Sequence, residues 1–135
     1  MRLPIYVAAA LIGLGTPLAA GDRPSLRDVP EIENPLFAVA VAKEVADQCN
    51  SISARYLRGL GELQRLRSRA NKLGYSDAEI RAYVESDSEK DRMRAKGEKL
   101  LAQNGVSYAN PESFCTYGRA EIKSNSAIGV LLRAK

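Results

Sequence analysis

The stretch NPLFAVAVAKEVADQC, Asn34–Cys49, decides the fold. Asn34 is a good N-cap, and Pro35 suits the first helical position, where its missing N–H costs nothing. Phe37, Ala38, Val41, Ala42, Val45 and Ala46 spread over a wide apolar arc, and Lys43, Glu44 and Asp47 share a narrow polar one. A helix this apolar is buried on several sides. The segment therefore predicts the central helix of an all-α domain, with Cys49 at its end.

The pattern stays helical toward the C-terminus. A second helix is expected over Ser53–Leu73, stopped by Gly74. Tyr56, Leu60, Leu63, Leu66 and Ala70 form its apolar face, with Arg58, Arg65, Arg69 and Lys72 opposite. Ser76 and Glu79 fit a capping box that opens a third helix with Ile80, Tyr83 and Val84. The charged run from Glu85 to Lys99 either continues that helix or breaks near Asp87 into another, and Asn104-Gly105 ends it. Asn110 and Pro111 start the last helix, which carries Phe114, Cys115, Gly118 and Ile122 on one face. Ile128, Leu131 and Leu132 read as a docked tail. No strand-like alternation of useful length is present. The expected architecture is a small four- or five-helix bundle, its first helix tied to its last (the fourth, in the simpler count) by a disulfide.

Toward the N-terminus the character changes. Met1–Ala20 has a basic Arg2, an apolar run from Leu3 to Leu14 and small residues at Leu18-Ala19-Ala20, which is the anatomy of a cleaved signal peptide. A retained membrane anchor is the competing reading, weakened by Pro4, Gly13, Gly15 and Pro17 in the run. Gly21–Asn34 is polar, holds Pro24 and Pro30, and reads as a flexible leader. Pro35–Lys135 is then a single helical domain, exported to the periplasm. Its two cysteines, Cys49 and Cys115, are expected to pair there. Their wide spacing argues against a redox pair, which wants C-x-x-C.

The catalytic inventory is thin. The 135 residues contain no histidine, which removes the usual general base near neutral pH and the commonest metal ligand. With both cysteines paired, no thiolate nucleophile remains. There is no phosphate-cradling glycine loop and no nucleophile elbow. Asp87, Glu89, Asp91 and Glu98 imitate a calcium loop, but Arg92 stands where the loop needs glycine. No metal, cofactor or catalytic residue is expected.

Charge gives the candidate sites. The net charge of +4 is mildly basic, and export disfavours nucleic acid as the partner. The row Arg58, Arg65, Arg69 and Lys72 is a candidate docking stripe for an envelope protein or an anionic polymer. Membrane contact is expected only if the N-terminal segment is retained. Glu121 shares the face of Phe114, and Arg67 and Arg55 lie in or beside the apolar face of the second helix. Arg55 follows Cys49, and Glu121 follows Cys115, at the same spacing. The disulfide would bring them together as a buried ion pair.

Three segments carry a resemblance: CNSISARYLRGL (Cys49–Leu60), GYSDAEIRAYV (Gly74–Val84) and SFCTYGRAEIKSNSAIGVLL (Ser113–Leu132). Together they resemble a family of small secreted alphaproteobacterial proteins defined as a domain of unknown function. The resemblance implies an exported helical protein with two cysteines and transfers no activity. A looser analogy of type, without a motif, is to acid-activated periplasmic chaperones. The expected function is a non-enzymatic interaction or accessory module. An acid- or stress-activated chaperone is the alternative, and a carboxylate-dependent cell-wall hydrolase a more remote one.

Overall fold

The computed structural model describes residues 23–135, so the expected signal peptide lies outside the described residues. Five helices follow one another: α1 Pro30–Gln48, α2 Tyr56–Lys72, α3 Asp77–Glu85, α4 Asp87–Gln103 and α5 Glu112–Ser124. Short 3-10 turns cover Leu26–Asp28 and Gly129–Leu131. Two three-residue strands, β1 Ile52–Ala54 and β2 Leu132–Ala134, pair antiparallel with Ile52 opposite Ala134. Strands this short carry too little alternation to be read from sequence.

The last helix is thus the fifth, because the charged run does break. Ser86 ends α3 and caps α4 by accepting from the Glu89 amide. The capping box of Ser76 and Glu79 at the start of α3 is complete. Gly74 and Gly105, both at positive φ, end α2 and α4, the conformation glycine adopts without a Cβ penalty.

Two starts differ from expectation. Helix α1 begins at Pro30 rather than Pro35, so much of the expected leader is folded. Pro30 is as acceptable in the first turn as Pro35, and the extra turn buries Ile32 against α2. Leu26 is buried with it, beside Leu66, Ala70 and Tyr75. Helix α2 begins at Tyr56 rather than Ser53, because Ile52–Ala54 is claimed by β2. Only Leu66 and Ala70 of its expected apolar face are buried; Tyr56, Leu60 and Leu63 are exposed. The first half of α2 overhangs the core.

The main core joins Val41, Ala42 and Val45 of α1 to Phe114 and Tyr117 of α5, with Ile128, Leu131 and Leu132 docked as expected. Cys49 and Cys115 are bonded, tying the end of α1 to α5. Two glycines allow the close approach. A Cβ on Gly118 would meet Ile52 and Val45 side-chain carbons at 2.6 and 2.8 Å. One on Gly129 would fall 1.9 Å from the Glu121 carbonyl oxygen, inside backbone that cannot yield.

Gly129→Ala is therefore expected to destabilise the protein by about 3 kcal/mol or more, as overpacking against fixed backbone does. Reduction of the disulfide, which closes a separation of 66 residues, is expected to cost about 4 kcal/mol in the chain-entropy model. Urea titrations of the variant, and of oxidised against reduced protein, check both.

Candidate functional site

Among the described residues the one buried charged side chain is Glu33, only 4% exposed, in the first turn of α1. Its Oε1 accepts from Arg92 Nη1 at 2.9 Å, and its Oε2 from the Tyr83 hydroxyl at 2.6 Å. Lys96 Nζ lies 3.6 Å away. Arg92 also donates to the Tyr83 oxygen at 3.1 Å and to Glu89 at 2.9 Å, and Arg27 pairs with Glu89 from the 3-10 turn. Elements α1, α3 and α4 therefore meet at the Glu33 carboxylate, and the N-terminal turn joins the network through Glu89. Burial alone would push the Glu33 carboxyl up, but the hydrogen bonds from Arg92 and Tyr83 and the charges of Arg92 and Lys96 outweigh it and hold it below its ordinary value. Burial and the neighbouring Glu33 push the Tyr83 hydroxyl well above the usual phenol range.

This node closes one end of a cleft of about 520 Å³ between α1 and the α3–α4 pair. Leu36, Val41, Met93 and Leu101 supply apolar lining, while Lys43, Glu44, Lys90 and Arg94 bring charges of both signs. Gly97 brings α4 close to α1, with Phe37 and Val41 carbons 3.8 Å from where its Cβ would stand. Val84 and Tyr108 are exposed at the cleft. The wall it shares with α3 and α4 is thinly packed: α3 buries no residue and α4 only Leu101. Charge contacts of Glu89 and Arg92, and the Lys96 ammonium 4.3 Å from the Phe37 ring centre, hold the first half and middle of α4 in place.

The residues singled out from sequence fall elsewhere. Arg55 and Glu121 form no ion pair among the described residues. Arg55 is exposed and is engaged through its backbone, its amide donating to the Leu131 carbonyl and its carbonyl accepting from the Gly59 amide. The β1–β2 pairing turns Arg55 outward, and the Gly129 turn packs on the Glu121 backbone. Arg67, expected near the core, is exposed and holds Asp77 at 2.6 Å. The basic row of α2 is largely occupied: Arg58 donates to the Val130 carbonyl, Arg65 to Glu62 and Arg69 to Glu31. Lys72 is exposed. Asp87, Glu89, Asp91 and Glu98 lie along α4, and no cluster able to hold a metal occurs among the described residues. Glu33 was missed because it lay in the expected leader. The signal was EIE directly after Pro30, an acidic first turn behind a proline.

Glycoside hydrolysis needs one carboxyl held above its ordinary value. Glu33, Glu62, Asp77, Glu79 and Glu89 are all held below theirs. For Asp77 the hydrogen bonds from Arg67 and Asn71 bring it to about 2.

Fold and site together define a disulfide-linked five-helix domain with a polar node beside an apolar cleft. The chain belongs to DUF5333, a family of unknown function, whose model matches residues 24–133. No curated protein and no solved structure matches it. No helix among the described residues is long and apolar enough to cross a membrane.

Glu33→Gln is expected to cost about 2 kcal/mol at neutral pH, because it leaves Arg92 without its buried counter-charge. Glu33 is depressed in the folded state, so its contribution is complete above its ordinary value of 4.5 and is lost as pH falls through the lower folded value. Urea titrations across that range should show wild type and variant converging in acid.

Proposed function

We propose that the protein is an exported, non-enzymatic interaction module that binds an apolar peptide segment of an envelope partner in the α1–α4 cleft. The cleft itself carries this reading: apolar side chains line a concave site, and its mixed charges suit orientation of a bound segment rather than reaction. Depressed carboxyls and a histidine-free sequence favour binding over hydrolysis. The Cys49–Cys115 bond and the character of Met1–Ala20 support an oxidising, extracytoplasmic location, the periplasm. The test is a photo-crosslinking residue at Val84, combined with Ala40→Trp to fill the cleft from its exposed rim. A defined partner crosslinked from Val84 and lost on filling is the expected result. Crosslinking that survives filling, or no crosslink at all, overturns the cleft as the site.

A second reading, an acid-activated chaperone, draws on the Glu33 node. Protonation of Glu33 would remove the counter-charge that holds α3 and α4 over the cleft, and apolar surface would open to clients. In this reading the acid-sensitive carboxylate is Glu33. A dye that fluoresces on apolar surface should brighten with the wild type only below the ordinary Glu range. With Glu33→Gln it should brighten already at neutral pH. Equal signals from both proteins at every pH would dismiss the reading.

A further inference from the structure

The start of α2 and the end of the chain form a corner unlike the rest of the surface. Pairing of β1 with β2 brings residues 50–61 and 122–135 together, and neither segment contains an Asp or Glu. The cations Arg55, Arg58, Arg133 and Lys135 lie on these two segments, and none takes part in an ion pair with a side chain among the described residues. Arg58 reaches across to the Val130 carbonyl, and the amides of Arg55 and Lys135 bond to Leu131 and Ser51, so the two segments are joined at three further points besides the strands. At the same corner Tyr56 and Leu57 are 72% and 83% exposed, the most exposed large apolar side chains among the described residues. They sit in the first turn of α2, which holds no acid, so the positive end of the helix dipole adds to the local potential.

We propose that this corner docks the protein onto an anionic phospholipid surface. Two adjacent apolar side chains projecting among unpaired cations match what a lipid interface rewards. Leu57 and the Tyr56 ring enter the headgroup layer, and the arginines and lysine meet the phosphates. A partner protein would have to supply an acidic pocket around a protruding tip, whereas a bilayer supplies negative charge and apolar depth everywhere. The contact is peripheral, leaves the α1–α4 cleft open and does not involve Met1–Ala20.

The chain has no tryptophan, so Tyr56→Trp in the oxidised protein recovered from the envelope is a single reporter at the tip. Its emission should shift to the blue with vesicles of phosphatidylcholine mixed with phosphatidylglycerol, and not with phosphatidylcholine alone. Added salt should reverse the shift. In that background Leu57→Ser should weaken partitioning about tenfold, and Arg55→Gln and Arg133→Gln about fivefold each. All three positions are exposed, and an unchanged thermal transition would confirm the fold. No shift with anionic vesicles overturns the proposal, as does binding indifferent to these substitutions. A shift with soluble polyglutamate but not with vesicles also overturns it, in favour of an acidic protein partner.

Discussion

Everything at the C-terminal end of the domain depends on how closely α5 lies against α1. The Cys49–Cys115 bond fixes that approach covalently, and Gly118 and Gly129 remove the side chains that would prevent it. Phe114, fully buried, fills the space beside the bond and meets Tyr108 edge to face, with ring centres 5.0 Å apart. Only with α5 seated there can the chain turn at Gly129–Leu131 and run back along Ile52–Ala54. The small sheet, and the basic corner built on it, follow from that seating.

The other end of the domain is organised by charge. Helices α3 and α4 have almost no buried apolar face, so dispersion and hydrophobic burial cannot hold them strongly. Their attachment passes through Glu33, Arg92, Tyr83 and Glu89, and through Arg23, which grips Glu79 at 2.9 Å and lies over the Tyr75 ring. Polar contacts of this kind respond to pH in a way an apolar core does not. The domain therefore combines a disulfide-locked half with a half attached largely by charged and hydrogen-bonded contacts, and the cleft lies beside the second.

Legibility in the sequence followed the strength of local signals. The capping box at Ser76, the stops at Gly74 and Gly105 and the broad apolar arc of α1 are local, and each is found where it was expected. Longer-range features were harder. Pro35 looked like a helix start because two prolines, Pro30 and Pro35, satisfy the same local rule; what selects Pro30 is the burial of Ile32 against Leu66 and Ala70, a contact across the chain. The apolar stripe of α2 was real, yet burial reaches only its second half, because no other element covers Tyr56, Leu60 and Leu63. Charges on that helix could be placed on a face, while their partners, Glu31 for Arg69 and Asp77 for Arg67, lie on other elements.

By itself the sequence determined an all-α domain, the stops at Gly74 and Gly105, the capping box at Ser76 and the single pairing open to two cysteines, because capping, periodicity and cysteine number act within short stretches or without reference to geometry. Tertiary structure alone decided that Glu33 is the buried charge, that Arg55 and Glu121 are not a pair, and that Arg55, Arg58, Arg133 and Lys135 share a corner. The reason is physical. A charge has meaning for folding only through its desolvation and its distance from other charges, and both are set by elements far apart in the chain.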